Sequence, residues 1–310
     1  MFTTWKNQAV RDLAWVIESP ELIDWSLLAP QHLAPASWGA RQAAMNASLR
    51  DLDKDPTPLL EFLATRPSYR LGIYFEKLLR FWFSYDAAPT LLLQNLPIRD
   101  DERTLGELDF VVHNESLIEH WEVGVKYYLG YRGTGSADAW IGPGCKDSLG
   151  RKLRRMMNHQ LPMVRTEEAV QALLEKGLRV DRSRPLLKGY LFYPVDQQDR
   201  CEPPKSVSED HQRGVWVRVG SIQALEDLGP TQWLPIEKIR WMGGPGEDLE
   251  ERAYSVAELT PYSNERLAQD DQRPFMLVGR ATENAPVSLR CFVVPDDWPQ
   301  RLPESKTASP

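Results

Sequence analysis

Cysteine is scarce in this chain: Cys145, Cys201 and Cys291 are the three present, and they stand far apart in 310 residues. An odd number of widely spaced cysteines argues against a disulfide framework, and neither C-x-x-C nor H-E-x-x-H occurs. The five histidines are scattered, so a zinc site is not expected. We therefore predict reduced thiols in a cytoplasmic protein.

Long apolar runs are also missing. No stretch approaches the ~20 consecutive apolar residues that span a membrane. The first residues lack the basic start and apolar core of a secretory signal. The phosphate-binding patterns G-x-x-x-x-G-K-[ST] and G-x-G-x-x-G and the nucleophile elbow do not occur either. The sequence thus predicts a cytoplasmic protein that has no membrane partner.

Positive charge is low overall but concentrated in one region. The net charge of −7 argues against a nonspecific nucleic-acid binder, which would carry a basic surface. Residues 126–165 nevertheless hold eight basic side chains against two acidic ones, whereas residues 247–251 are acidic. A local basic face on an acidic protein is typical of an enzyme that contacts phosphates only around its site.

The order of helical and strand-like segments predicts an α/β fold. An amphipathic helix at 65–83 and a strand at 91–98 precede two charged strands, and a basic helix at 149–161 precedes a strand at 186–195. Residues 130–144 hold five glycines and are predicted to form a flexible surface loop. The predicted domains are an N-terminal helical cap at 1–64, a core at 65–200, a C-terminal α+β extension at 201–302 and a disordered tail at 303–310.

Residues 106–126 are the most informative stretch. They predict two short strands: Asp109 interrupts the first apolar run, and Glu122 and Lys126 interrupt the second. A charge inside a buried strand is costly unless it is paired or binds a metal. Two carboxylates and a lysine on neighbouring strands suit a divalent-metal phosphodiesterase, because oxygen ligands hold the metal and a cation orients or activates the attacking water.

This pattern resembles the PD-(D/E)XK nuclease superfamily, whose core places an acidic residue on one strand and a (D/E)-X-K triplet on the next. The surrounding sequence is similar to a bacterial family of uncharacterised proteins assigned to that superfamily. The resemblance covers residues 65–195 and is carried by 72–79, 106–109, 120–129, 140–143, 147–152 and 159–161. It implies a restriction-endonuclease-like core, with a mixed sheet flanked by helices, and a nuclease that depends on Mg²⁺ or Mn²⁺.

The chain departs from the superfamily motif in one respect. Glu122 and Lys126 are four residues apart instead of two, which separates them by ~13 Å on one strand face, with Gly124 between them. Either Glu122 is the metal ligand and Lys126 reaches back, or Lys126 is catalytic and the carboxylate has moved. Glu76 is the natural replacement, because members of the superfamily often supply an acidic ligand from this helix. The core prediction is therefore Glu76, Asp109 and Lys126, with Glu122 slightly behind.

Other residues are predicted to contact nucleic acid or to complete the site. The basic helix supplies the predicted phosphate contacts Arg151, Lys152, Arg154 and Arg155. Gln160 lies on the same helix, where the resemblance places a further polar residue of the site. Trp140, beside the glycine-rich segment, is predicted to stack on an unpaired base. The structural alternatives are a solvated helix face and a tryptophan of the core.

Three functions remain open from the sequence. The first is a metal-dependent nuclease that acts on DNA or RNA. The second is a catalytically degenerate module that binds nucleic acid or a protein partner, which the displaced Lys126 favours. The third is metal-dependent hydrolysis of a small phosphorylated substrate. Simpler interpretations also exist. Glu76 could pair with Arg80, Glu122 and Lys126 could pair with each other or with neighbours on an edge strand, and Glu107 is predicted to be solvated.

Overall fold

The computed structural model describes residues 5–29, 38–65, 68–85, 89–101, 103–246, 252–269, 272–282 and 287–299. The predicted tail at 303–310 and the acidic run at 247–251 lie outside these ranges. The chain divides into two compact units, which are described separately. The first unit comprises Met1–Val125 and Leu153–Lys188, and the second comprises Lys126–Lys152 and Gly189–Pro310. These units differ from the predicted linear segments because the chain passes from one unit to the other three times.

Helices and strands alternate along the described chain. The helices are α1 (Gln8–Glu18), α2 (Trp25–Leu28), α3 (Trp38–Lys54), α4 (Thr57–Ala64), α5 (Leu71–Tyr85), α6 (Leu149–Arg155), α7 (Leu161–Met163), α8 (Glu167–Leu174) and α9 (Val256–Gln269). The strands are β1 (Thr90–Arg99), β2 (Thr104–Asn114), β3 (Leu117–Gly130), β4 (Gly133–Thr134), β5 (Trp140–Ile141), β6 (Arg182–Pro194), β7 (Cys201–Glu202), β8 (Gln212–Arg218), β9 (Gln232–Ile236), β10 (Phe275–Arg280) and β11 (Leu289–Val294).

Among the described residues, nine strands form a mixed sheet in the order β1-β2-β3-β6-β8-β11-β10-β9, with β5 paired to β3. The β1-β2 and β2-β3 pairs are antiparallel, whereas β6-β8 and β8-β11 are parallel. Helices flank this sheet, which confirms the predicted α/β class. No helix in the described ranges is both long and apolar enough to span a membrane.

In the first unit, α5 packs on the strands that carry the predicted acidic residues. The ring of Phe83 meets Phe110 of β2 and Trp121 of β3 edge-on, at centroid distances of 5.5 and 5.4 Å. The sequence predicts this helix and its packing, although the observed helix runs from Leu71 to Tyr85 instead of 65–83. The prediction that β2 and β3 are adjacent and antiparallel is confirmed as well.

A buried ionic network fixes the start of β3. The Glu119 side chain is fully buried and forms an ion pair with Arg182 of β6. It also accepts hydrogen bonds from the indole N–H of Trp121 at 2.7 Å and from the amide of Asn114 at 3.1 Å. A buried carboxylate with this many donors is compensated for its lost hydration. Glu119 is therefore a structural residue that holds β3 against its neighbours.

In the second unit, α9 covers the far strands of the sheet. Its buried residues Leu259 and Leu267 share a hydrophobic cluster with Leu277 of β10 and Val293 of β11. The apolar strands that the sequence predicts near 276–278 and 289–294 are confirmed as β10 and β11. The part of the C-terminal extension that is described thus contributes strands to the main sheet.

Gly189 of β6 lies directly against the main chain of Lys126. Its φ of 143° lies in the region that favours glycine. A Cβ atom at this position would overlap the carbonyl oxygen of Lys126. The absence of a side chain at position 189 therefore allows the close approach and fixes where the backbone of Lys126 lies.

Candidate functional site

Asp109 lies in the first unit, where backbone pairing between β2 and β3 ends and a side-chain hydrogen bond follows it. The last backbone pair of the ladder joins Phe110 to Trp121. One residue further, the Asp109 carboxylate accepts the backbone N–H of Val123 at 3.0 Å. Continuing the register places Asp109 opposite Glu122, and directly opposite residues share a sheet face. Asp109 is therefore a half-buried carboxylate at the opening of the strand pair.

Two more carboxylates belong to this neighbourhood of the first unit. Glu122 is 1% exposed, so its carboxylate is removed from bulk water. Glu107 lies two residues before Asp109 in β2 and is exposed, as the sequence predicts. Partial burial and the negative charge of Asp109 nevertheless raise the pKa of Glu107 above its ordinary value. Sequence analysis missed the electrostatic coupling between Glu107 and Asp109, although their i, i+2 spacing could have indicated it.

Glu76, the predicted replacement ligand, lines a surface groove of about 430 Å³ in the first unit. Lys77 and Arg80 of α5 and Gln94 and Asn95 of β1 also line this groove. Glu76 thus lines the same groove as Arg80, and the ion pair between them that the sequence offers stays a prediction. In the described parts of the chain, no group of three or more His, Cys, Asp or Glu residues is placed to hold a metal ion.

Lys126 lies in the second unit, within a cluster of charged and hydroxyl groups. Its ammonium donates to the Oδ2 atom of Asp147 at 2.7 Å, and the Tyr128 hydroxyl donates to the same oxygen at 3.2 Å. The Arg151 guanidinium lies 3.5 Å from the other oxygen, Oδ1. The pairing of Lys126 with a neighbour is observed, and the neighbour is Asp147. No role for Asp147 was predicted from the sequence, because it lies in the loop before α6, 21 residues further along the chain.

The electrostatics of Asp147 follow from these contacts. Burial alone would raise its pKa, but the hydrogen bond and charge of Lys126 outweigh burial, with help from the Ser148 N–H and the Tyr128 hydroxyl. The net effect lowers the pKa of Asp147 below its ordinary value, so the group stays ionised at neutral pH. Burial and the same negative charge raise the pKa of Tyr128, which therefore keeps its proton.

The segment 130–144 and Trp140 differ from the prediction. Instead of a flexible surface loop, the segment contains β4 and β5. Trp140 is fully buried, and its ring meets Tyr193 edge-on at a centroid distance of 5.1 Å. A buried indole presents no face to an unpaired base, so the stacking role is wrong and the core interpretation holds. The physical reason is that β5 pairs with the end of β3 and draws Trp140 inward.

The predicted basic helix is observed as α6, a π-helical turn at Met156–Gln160, and α7. Arg151, Arg154 and Arg155 are exposed and Lys152 is half-buried. Gln160 is half-buried and ends the π-helical turn. Single π-turns inside helices are frequent at functional sites. Because its arginines are exposed, this helix remains the predicted nucleic-acid contact.

Replacing Lys152, Arg154 and Arg155 together with alanine is expected to weaken nucleic-acid binding. Each lost phosphate contact should flatten the salt dependence of log K by ~0.9 on duplex DNA, because fewer counterions are released. Fluorescence anisotropy across a range of salt concentrations measures this slope. An unchanged slope in the triple variant would make this helix a solvated face without a binding role.

The comparison with protein families decides the family. Residues 11–294 match the model of the family described as Domain of unknown function (DUF1853). The chain belongs to this family. The match extends over most of the chain and includes Asp109, Glu122, Lys126 and Asp147. No curated protein and no solved structure matches the chain. The family is therefore shown, and its description states no activity.

Proposed function

We propose that the protein is a divalent-metal-dependent phosphodiesterase that cleaves nucleic acid through a variant PD-(D/E)XK site. The observation that carries the proposal is the placement of Asp109. Its carboxylate lies just beyond Phe110–Trp121, the last backbone pair of β2 and β3, and buried Glu122 follows the same pair on β3. Partial burial and the charge of Asp109 together raise the pKa of Glu107. Neighbouring carboxylates form a negative site, and a bound cation would relieve their repulsion.

The resemblance to the PD-(D/E)XK superfamily supports this proposal through strand order. In that superfamily an acidic residue on one strand precedes an acidic residue and a lysine on the next. Here β2 holds Asp109, and the neighbouring antiparallel strand β3 holds Glu122 and Lys126. The four-residue spacing of Glu122 and Lys126 remains the departure from the motif, so the proposed site is a variant.

The donor set fits Mg²⁺ or Mn²⁺ better than a softer metal. The carboxylates near the strand opening offer only oxygen atoms, which hard cations prefer. Mg²⁺ commonly binds through one or two carboxylates, keeps several waters, and takes further oxygens from substrate phosphates. A site without a three-residue ligand cage is compatible with this mode of binding. Asp109 and one of the two carboxylates Glu107 and Glu122 would hold the ion, so a cage of three protein ligands is not needed.

Each residue would have a defined task in phosphodiester cleavage. A bound divalent cation would polarise the scissile phosphate and activate water for attack. Asp109 would bind the ion through its carboxylate, one oxygen of which accepts the Val123 N–H. The lysine of the superfamily motif donates to an oxygen of the phosphate as negative charge develops there, and Lys126 would have this task. The exposed arginines of α6, which precede the π-turn, would bind the flanking phosphates.

Titration of Mn²⁺ tests the carboxylates without relying on activity. Wild-type protein is expected to bind the ion in isothermal calorimetry, and Asp109→Asn should weaken binding at least ~10-fold, because an amide lacks the charge that a hard cation requires. Asp51→Asn is the control, since Asp51 and Lys54 form an ion pair between exposed side chains of α3. Equal affinity in wild type and Asp109→Asn would refute a metal site at Asp109.

One observation favours the second candidate, a catalytically degenerate module that binds nucleic acid. Lys126 is engaged by Asp147, and the described residues include no cluster of three metal-ligating side chains. A degenerate module would bind DNA or RNA without cleaving it and would show no Mn²⁺ heat at Asp109. The same titration therefore separates the two functions.

A further inference from the structure

We propose that Asp147 is the positioning residue of Lys126: its carboxylate holds the ammonium in the orientation that phosphodiester cleavage requires. This inference rests on the proposed function and adds to it a residue outside the (D/E)-X-K pattern. All of the groups involved belong to the second unit. The inference stands on four contacts to one carboxylate: three hydrogen bonds and the approach of the Arg151 guanidinium.

Both oxygens of Asp147 are engaged from different directions. Oδ2 accepts the Lys126 ammonium at 2.7 Å and the Tyr128 hydroxyl at 3.2 Å. Oδ1 accepts the Ser148 backbone N–H at 2.9 Å. Because Lys126 and Tyr128 are two residues apart in β3, they share a strand face and reach the carboxylate from the same side. The carboxylate plane is thereby fixed, and so is the lone pair that receives Lys126.

The main chains that carry the two residues are fixed as well. The carbonyl of Asp147 accepts the Gly142 N–H at 2.8 Å, and the next residue, Ser148, forms a bridge with Ile141. On the other side, Gly189 holds the backbone of Lys126 through its close approach. A lysine has a flexible four-carbon stem and loses rotamer entropy when it is ordered. Asp147 supplies this ordering before a substrate binds.

The cluster keeps a positive charge even though Lys126 is paired. Lys126 and Arg151 contribute two positive charges against the single negative charge of Asp147, and the guanidinium of Arg151 lies 3.5 Å from Oδ1. An ammonium has three N–H groups, and the bond to Asp147 uses one of them. The Lys126 side chain is 34% exposed, so the ammonium is accessible to a phosphate oxygen. A positioned and accessible cation suits transition-state stabilisation.

A double-mutant cycle tests whether Asp147 acts through Lys126. Wild type, Lys126→Met, Asp147→Asn and the double variant are compared for kcat and KM on the nucleic acid that wild type cleaves with Mn²⁺. Asp147→Asn is expected to lower kcat by ~10- to 100-fold with little change in KM, as loss of an orienting partner does. In the Lys126→Met background the same change should have no further effect. Asp147→Glu, which keeps the charge, should restore part of kcat.

A second measurement does not depend on cleavage. Acylation by an amine reagent, followed by mass spectrometry, reports how firmly Lys126 is held, and exposed Lys146 provides the internal reference. Asp147→Asn should increase the labelling of Lys126 severalfold relative to Lys146, whereas Asp51→Asn should not. Thermal unfolding confirms that each variant is folded.

The outcomes separate this inference from the proposed function. Independent, multiplying effects of the two substitutions on kcat would overturn the positioning role, and so would unchanged labelling of Lys126. A rise of kcat in Asp147→Asn would mean that Asp147 neutralises Lys126 instead of positioning it. If wild type cleaves no nucleic acid while labelling changes as expected, the proposed function fails although Asp147 still holds Lys126.

Discussion

Asp109→Asn is expected to lower Mn²⁺-dependent cleavage at least ~100-fold, the scale of losing one charge-stabilising group at a reacting centre. The fold should be unaffected, because the asparagine oxygen can still accept the Val123 N–H that Asp109 accepts. A loss of cleavage would therefore reflect the missing negative charge and not a change in side-chain shape. Cleavage is measured on labelled single- and double-stranded DNA and RNA, and circular dichroism melting checks the fold.

Glu76→Gln and Glu122→Gln then identify the remaining acidic ligand. From the sequence, Glu76 is the favoured ligand and Glu122 the alternative. In the structure, Glu76 lines a groove with Arg80 and residues of β1, whereas Asp109 and Glu122 both adjoin Phe110–Trp121, the last backbone pair of β2 and β3. We therefore expect Glu122→Gln to approach the defect of Asp109→Asn and Glu76→Gln to retain cleavage. Full activity in all three variants would end the nuclease proposal at this site.

The largest expected effect on stability is at Glu119. Glu119→Ala should lower the free energy of unfolding by about 3–5 kcal/mol, because it removes the buried carboxylate that pairs with the Arg182 guanidinium and accepts the Trp121 indole N–H. Urea denaturation followed by tryptophan fluorescence measures the change. Asp51→Ala is the matched control: it breaks an ion pair between exposed side chains and should cost no more than ~1 kcal/mol. A loss at Glu119 as small as that of the control would show that the buried network contributes little.

The sequence predicts strands well where apolar residues dominate them. The runs at 91–98 and 289–294 become β1 and β11 with almost the predicted bounds. β6 begins four residues earlier than predicted, at Arg182, because its charged start is buried against carboxylates. Arg182 pairs with Glu119 and Arg184 pairs with Glu21. Local hydropathy cannot show such pairing, since the partner charges come from distant parts of the chain.

Some residues of the candidate site can be predicted from the sequence and others cannot. The acidic residue on β2 and the charged positions of β3 can be read from an interrupted apolar pattern, so Asp109, Glu122 and Lys126 are found from the sequence. Asp147 cannot be found in this way, because it lies in a loop and acquires its importance only when β5 pairs with β3. The burial of Trp140 has the same origin. Long-range pairing, which local sequence does not encode, decides both.

Gly189 has a consequence for how the sequence can vary. Its backbone conformation and its contact with the Lys126 carbonyl leave no volume for even a methyl group. A charged residue of a site can often be replaced by a similar residue that keeps part of its role. Every substitution at position 189, by contrast, adds a side chain, because no residue is smaller than glycine. Near Lys126, the position that tolerates the least change is therefore 189, which must lack a side chain. The geometry of the site depends on a residue that has no side chain to take part in its chemistry.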